Sequence, residues 1–177
     1  MILVEEALAR CLALTATLPA ETMPLRQAAG RVLAEPAHAR LTQPPFDASA
    51  MDGYALAQAG AVGATYTVIG EAGAGHGFAG ALAPGQATRI FTGAPLPQGA
   101  VTVALQEHVT ADGTTITLTE AAATGDNIRP RGQDFAEGQA LPAPRLLRPN
   151  DIALLAAMNV AEVQVRRRQR QRVQFDH

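Results

Sequence analysis

The spacing of hydrophobic and polar positions changes several times along the chain. Near the start, apolar residues recur three and four positions apart, as on one face of an α-helix. These residues are Val4, Leu8, Cys11 and Leu12. The segment 25–33 repeats the spacing after Pro24, and Pro36 would end a helix there. We therefore predict two short amphipathic helices, followed by an extended segment at 37–41.

After Tyr54 the pattern changes to short β-rich runs. The runs cover 66–69, 87–91, 101–106 and 108–118. The last run alternates around Ala111-Asp112-Gly113, which is typical of a β-hairpin turn. Several short strands at this spacing predict a β-barrel or sandwich-like unit spanning about residues 50–128.

The end of the chain returns to a helical pattern. Pro149-Asn150-Asp151 predicts the start of a helix, and Asn159 predicts a left-handed residue at its end. Residues 160–165 alternate like a strand. Arginines then crowd 166–172, which is typical of a solvated end or a linker and only occasionally of a nucleic-acid arm.

Composition narrows the class of protein. With 177 residues the chain can form one domain or two small ones, and its net charge of −2 gives no general attraction to nucleic acid or membranes. Its single cysteine, Cys11, excludes an internal disulfide, and we expect it to be a buried, inert thiol. The first residues are acidic where a signal peptide is basic, and no apolar run approaches 18 residues, so we expect a cytoplasmic protein.

Candidate chemistry is concentrated in a first polar segment at 44–54. Asp47, Ser49 and Asp52 place two carboxylates and a hydroxyl within six positions, in a segment whose prolines and glycine predict a loop. Two interpretations are open. The segment is either a rigid polar site held by its apolar neighbours, or an Asx-turn loop whose aspartates accept hydrogen bonds from nearby amides of the same loop.

Two more polar segments follow. The second is a turn around Thr92-Gly93, and the third, 125–135, contains Arg129 and Arg131 on either side of a proline. Arginine suits bidentate contact with an oxyanion. The alternative is that one of these arginines pairs with an aspartate at a surface turn, namely Asp126 or Asp134. The glycines at 73–77 lack the spacing and the lysine of a phosphate-binding loop.

Taken in order, these segments closely resemble the amino-terminal half of the MoeA-type molybdopterin molybdenumtransferases, the group that includes the carboxy-terminal domain of gephyrin. The resemblance covers residues 3–168. It is carried by the segments 29–35, 45–55, 89–97, 99–100, 106–107, 127–135 and 149–156.

The resemblance implies an α+β fold. An elongated mixed α/β domain would be assembled from both chain ends, 1–49 and 129–168, with a β-rich domain, barrel or sandwich-like, inserted at 50–128. Residues 169–177 would be a basic tail or a truncated linker. The resemblance also implies a homodimer.

The implied function belongs to molybdenum cofactor biosynthesis. Members of the family ligate molybdate to adenylylated molybdopterin, with Mg²⁺ assisting hydrolysis of the adenylate. By position, four residues correspond to family residues at the active-site cleft: Asp52, Thr92, Arg129 and Asp134. We predict catalytic roles for Asp52, Thr92 and Asp134, and metal binding by Asp52 and Asp134. Arg129, Ser49 and Gly93 are the predicted cofactor-binding residues.

The residue types suit this chemistry. Each oxo ligand that leaves molybdate needs protons, which carboxylates can relay, and carboxylates can also hold Mg²⁺. An arginine and backbone amides suit the oxyanion itself. The sequence leaves open which aspartate relays protons and which holds Mg²⁺.

Two features leave a second function open. Ala48, Val101 and Gln133 stand where the family usually has Asn, Asp and Glu, and the family's pterin-binding domain does not follow. The chain is therefore either half of a transferase active site or a non-catalytic dimerisation and interaction module. Its expected partners are a molybdopterin adenylyltransferase or a separately encoded pterin-binding domain.

Overall fold

A computed structural model of the protein describes residues 2–168. In that range two α-helices and fourteen β-strands follow one another along the chain. They are α1 (Val4–Ala13), β1 (Ala20–Pro24), β2 (Val32–Leu33), β3 (Ala37–His38), β4 (Ala48–Ser49), β5 (Gly53–Leu56), β6 (Thr65–Ala72), β7 (Gln86–Ile90), β8 (Thr102–Leu105), β9 (Val109–Asp112), β10 (Thr115–Leu118), β11 (Ile128–Arg129), β12 (Ala140–Leu141), β13 (Arg145–Leu146), α2 (Pro149–Ala157) and β14 (Glu162–Arg166).

The chain divides into two compact units, one formed by Met1–Leu41 and Glu137–His177 and the other by Thr42–Ala136. The predicted boundaries, at 49/50 and 128/129, fall inside the second unit. The reason is that β4 pairs with β11, and Gln43 pairs with Phe135, so both flanks of the predicted β-rich region belong to it. The predicted tail, 169–177, lies outside the described residues.

The first unit is built on a four-stranded antiparallel sheet in the order β1-β14-β2-β13. A separate pair joins β3 to β12. The helix α2 begins and ends as predicted, and Asn159 beyond it has a φ of 60°, the left-handed value expected there. Leu155 of α2 and Val165 of β14 are fully buried.

The second predicted helix, at 25–33, is wrong. A single 3-10 turn, Leu25–Gln27, is followed by the strand β2. Gly30 has a φ of +72°, which ends any helical path. The helical spacing arose because Leu25 and Ala28 are buried at the 3-10 turn and Leu33 is buried on β2, where it pairs with Val165.

The first helix is confirmed as α1, but its apolar face is not covered by the described residues. The helix contains no buried residue, and Val4, Leu8 and Leu12 are exposed. Cys11 is exposed as well, so the expectation of a buried thiol is wrong. No helix within residues 2–168 combines the length and the apolar character needed to cross a bilayer.

The second unit is built on a six-stranded sheet in the order β8-β5-β7-β6-β10-β9. Strands β6 and β7 are parallel, and the other neighbours are antiparallel. The predicted hairpin is present as β9 and β10, with Gly113 in the turn at a φ of +57°. Successive strand residues face opposite sides, so Ala55 and Leu56 belong to different hydrophobic clusters.

The described chain is therefore mostly β, with two helices. The predicted β-rich region is present as the six-stranded sheet. The two helices and the four-stranded sheet of the first unit agree only in part with the predicted mixed α/β domain.

Candidate active site

The three polar segments of the sequence meet on the two-residue strand β4. On one side, Ala48 and Ser49 pair with Arg129 and Ile128 of β11. On the other side, the Ser49 amide donates to the Ala94 carbonyl at 3.0 Å, and the Gly93 amide donates to the Ser49 carbonyl at 2.9 Å. Segments 40 to 80 positions apart in the chain are thus joined within the second unit.

Asp52 and Thr92 form a close pair at the edge of this meeting point. The Thr92 amide and hydroxyl both donate to Oδ1 of Asp52, at 2.8 and 2.6 Å. These two hydrogen bonds, the hydroxyl first, and the charge of Arg89 lower the pKa of Asp52 below its ordinary 3.8. Asp52 is therefore a carboxylate at neutral pH, and Oδ2 lies outside this pair of hydrogen bonds.

A second polar group adjoins Asp52 and was missed among the predicted site residues. Arg89 donates to the Gly53 carbonyl at 3.0 Å and to Oε1 of Gln106 at 2.5 Å. Gln106 in turn donates to Glu107 at 3.1 Å. This hydrogen bond is the main reason why the pKa of Glu107 is lowered, while the charge of Asp52 acts to raise it. A sequence signal existed, since Arg89 is a charged residue inside a short predicted strand, next to the buried Ile90.

Arg129 and Asp134 form an ion pair in which the guanidinium donates to both carboxylate oxygens. Both side chains are about two-fifths exposed, at 43% and 38%. Of the two interpretations of the third segment, the structure contains the pairing of an arginine with Asp134. Both contacts come from one nitrogen, Nη2 of Arg129, so the pair keeps this end of the guanidinium beside Asp134.

The aspartates of the first segment do not form the local Asx-turns that the sequence allowed. Asp47 accepts from the Arg131 amide at 2.7 Å, and Asp52 accepts from Thr92, so both bind distant backbone. Only Ser49 bonds within its own loop, donating to the Met51 carbonyl at 2.6 Å.

Two predicted cofactor-binding residues are engaged within the protein. Ser49 is buried and its hydroxyl bonds to Met51, while the Gly93 amide bonds to the Ser49 carbonyl. Their roles stay predictions. Ser49 and Gly93 would have to exchange these hydrogen bonds to bind an oxyanion.

The aspartates differ in their suitability for a metal ion. Residues 2–168 contain no group of three or more His, Cys, Asp or Glu side chains that could hold one. Asp134 already gives both oxygens to Arg129, whereas Asp52 gives only Oδ1 to Thr92. Mg²⁺ is commonly held by one or two carboxylates, with water and phosphate oxygens completing the octahedron. Asp52 fits such a site better than Asp134 does.

Comparisons with known proteins identify the family. Residues 2–159 match the model of the MoeA N-terminal region (domain I and II). The chain is 36% identical over 157 residues to a molybdopterin molybdenumtransferase of Nostoc sp., covering 85% of this chain and 36% of that protein. It is 39% identical over 147 residues to the molybdopterin molybdenumtransferase of Haemophilus influenzae, covering 81% of this chain and 36% of that protein.

A solved structure agrees. The crystal structure of a molybdopterin biosynthesis moeA protein from Pyrococcus horikoshii OT3 superimposes with a TM-score of 0.82 at 36% identity, over 92% of this chain and 45% of that one. The chain spans little more than a third of the length of the curated relatives it matches. These findings confirm the resemblance seen in the sequence: the chain belongs to the family of the MoeA N-terminal region, domains I and II.

Proposed function

We propose that this chain supplies the amino-terminal part of an active site that inserts molybdate into adenylylated molybdopterin. The single observation that carries the proposal is the Asp52–Thr92 pair, a carboxylate held by two hydrogen bonds where three polar segments meet. The names of the relatives, molybdopterin molybdenumtransferase, support the reaction class. Molybdate and molybdopterin are accordingly the proposed substrates.

The contacts favour different roles for the two aspartates. A general acid or base works best when its pKa lies near the working pH, and the pKa of Asp52 is lowered instead. Asp52 is therefore better suited to hold positive charge than to relay protons. Asp134 orients Arg129 through the ion pair, and the guanidinium is the group suited to an anionic substrate.

Asp52 is the proposed ligand for Mg²⁺. Oδ2 of Asp52 is the oxygen we expect to face Mg²⁺, because Oδ1 is bonded to Thr92. When bound, Mg²⁺ would neutralise charge on the phosphoanhydride of the adenylate. Binding by Asp134 would require its ion pair with Arg129 to open.

We extend the proposal to the assembly and location of the protein. A cytoplasmic homodimer with an elongated α+β domain agrees with the family resemblance, and the exposed apolar residues of α1 support self-association. A molybdopterin adenylyltransferase, or a separately encoded pterin-binding domain, is the proposed further partner. Light scattering of the purified chain tests the dimer directly, since a mass of 18.4 kDa would contradict it.

A chimera tests the function. Residues 2–168 would replace the matching amino-terminal part of the Haemophilus influenzae relative, in cells that lack their own molybdenumtransferase. We expect the chimera to restore a molybdenum-dependent enzyme such as nitrate reductase. Asp52→Ala should abolish the restoration. Asp112→Ala, a change to an exposed carboxylate in the β9 strand of the same unit, is the matched control and should leave it intact.

Two outcomes would contradict the proposal. Full restoration by the Asp52→Ala chimera would show that this carboxylate is not needed. A well-folded chimera that restores nothing, while the free chain still binds a molybdopterin adenylyltransferase, would instead favour the interaction module.

A further inference from the structure

Arg89 lies on β7, on the sheet face that also carries Tyr54 of β5. The two residues are directly opposite in the antiparallel β5–β7 pair. The guanidinium carbon is 5.1 Å from the centre of the Tyr54 ring and 4.8 Å from the centre of the Phe91 ring. Both distances are within the range of cation–π contact. Two aromatic rings thus restrict where the guanidinium can lie.

The guanidinium holds the backbone of Asp52 and its neighbour from two sides. Nη1 donates to the Gly53 carbonyl, the residue that directly follows Asp52, at 3.0 Å. Nη2 donates to the side-chain oxygen of Gln106 at 2.5 Å, and the backbone amide of Gln106 donates to the backbone carbonyl of Asp52 at 3.2 Å. Arg89 therefore contacts one peptide directly and the preceding one through Gln106.

The backbone at this point is also tightly packed. A Cβ atom on Gly53 would lie 2.0 Å from the Ala104 carbonyl oxygen, so β5 and β8 approach each other more closely than a side chain would allow. The Asp52 backbone is thus bounded by β8 and held by Arg89.

Arg89 also contacts the residue next to Thr92, the second member of the Asp52–Thr92 pair. Phe91, whose ring covers the guanidinium, is the residue immediately before Thr92. The guanidinium therefore contacts a residue next to each member of the Asp52–Thr92 pair, the Gly53 carbonyl on one side and the Phe91 ring on the other. No role in the site was assigned to Arg89 from the sequence.

We propose that Arg89 is a positioning residue that sets the geometry of the Asp52–Thr92 pair. It does so through its hydrogen bond to the Gly53 carbonyl, next to Asp52, and its contact with the Phe91 ring, next to Thr92. This inference rests on the proposed function for its importance, but its geometry can be tested separately. Arg89 is not a catalytic residue in this scheme, because it acts through its neighbours.

The shape of the guanidinium matters more than its charge. An arginine presents donors in a planar fork and stacks on rings, whereas a lysine is a compact charge that cannot donate in two fixed directions from one plane. Two acidic groups lie near Arg89: Asp52 and, opposite it on the parallel strand β6, Glu71. Arg89→Lys keeps a positive charge among them and loses the fork.

The test is the NMR signal of the Thr92 amide in the full 177-residue chain, at a fixed pH of 7. We would compare wild type with Arg89→Lys, Arg89→Gln and Gln106→Ala. Arg26→Gln, a change to an exposed arginine of the first unit, is the control. We expect both Arg89 variants to shift the Thr92 amide proton upfield and to speed its hydrogen exchange about tenfold, as weakening of a hydrogen bond to a carboxylate requires. Gln106→Ala should move the signal in the same direction by less.

The outcomes separate this inference from a merely structural role. A Thr92 amide that is unchanged in Arg89→Lys would overturn the inference, even if Arg89→Gln fails to fold. Equal exchange increases across all amides of β5 and β7 would also overturn it, since they indicate general loosening of the sheet. If the Thr92 signal moves as expected but Asp52→Ala leaves the chimera active, the positioning role survives and the proposed function fails.

Discussion

Two aspartates, one in each unit, have similar contacts and different surroundings. Asp52 and Asp151 each accept a backbone amide and a side-chain donor, and each lies near an arginine that lowers its pKa. The partners of Asp151 are only three and six positions away: the Arg148 amide at 2.8 Å and the Arg145 side chain at 2.9 Å. The partner of Asp52 is 40 positions away.

The two aspartates also differ in burial. Asp151 is only 5% exposed and satisfies the first turn of α2, where a carboxylate stabilises the helix N-terminus. Asp52 is partly exposed, starts no helix, and keeps one oxygen outside its bonds with Thr92. A lowered pKa therefore identifies a well-bonded carboxylate, and only its surroundings distinguish a structural aspartate from a candidate functional one.

The largest expected effect separates the two aspartates by activity. In the chimera, Asp52→Asn should reduce the rate of molybdenum insertion about 100-fold, because the charge that the site requires is lost. Asp151→Asn, which removes an equal charge in the first unit, should leave the rate within about twofold once expression is matched. A stopped assay of molybdenum cofactor formed per enzyme measures both. Equal losses in the two variants would mean that Asp52 is no more important to the reaction than Asp151.

Stability should show the reverse order. Asp151→Ala should lower the free energy of unfolding by about 1–3 kcal/mol, because it leaves the Arg148 amide and Arg145 without their acceptor. Asp52→Ala should lower the free energy of unfolding much less, since water can replace the carboxylate as the acceptor for Thr92 at a partly exposed site. Urea unfolding followed by circular dichroism gives both values. A larger loss for Asp52→Ala would mean that its pair with Thr92 is mainly structural.

The contribution of Asp151 should depend on pH. Its pKa in the folded protein is lowered below the ordinary 3.8, chiefly by the hydrogen bond from the Arg148 amide. The stabilisation is therefore complete above the unfolded-state pKa and is lost as the pH falls through the lower folded-state value. The difference in unfolding free energy between wild type and Asp151→Asn should be constant from pH 5 to 7 and should shrink below about pH 4. A difference that grows on acidification would reverse the sign.

The smallest expected effect concerns the exposed pair of Arg129 and Asp134. Asp134→Ala should cost less than about 1 kcal/mol in unfolding free energy, because both side chains are about two-fifths exposed. The same change in the chimera should still slow insertion, since Arg129 loses the partner that orients it. Urea unfolding and the insertion assay, performed on the same preparations, test this directly. An unchanged rate would limit the Arg129–Asp134 pair to a surface contact.

Local patterns predicted local structure well. The periodicity of 4–12, the hairpin around Gly113 and the left-handed Asn159 were all readable because each depends on residues within a few positions. The prediction for segment 25–33 failed because Leu25 and Ala28 are buried at a 3-10 turn and Leu33 on a strand, so no single helix sets their spacing. The exposure of Cys11 was unreadable for a similar reason, since spacing predicts a helical face but not what covers it.

The sequence supplied the candidate site residues, and it offered an arginine–aspartate pair in the third segment, but it did not predict the contacts between segments. Asp52, Thr92, Arg129 and Asp134 came from the family motif, and no local rule pairs Asp52 with a residue 40 positions away. Arg89 was overlooked as a site residue because its role depends on Tyr54, which lies opposite it across the sheet, and on the Phe91 ring beside its guanidinium. Contacts between distant segments need the register of the strands, which the sequence pattern leaves undetermined.

The meeting of three segments on Ala48 and Ser49 also has a consequence in time. On the ribosome, where roughly 5–20 residues are added per second, Ser49 is made about 4–16 s before its partner Ile128. Pairing across such a separation is slow to nucleate, because a long loop must close before any contact forms. The candidate site is therefore among the last parts of the second unit that a nascent chain can complete.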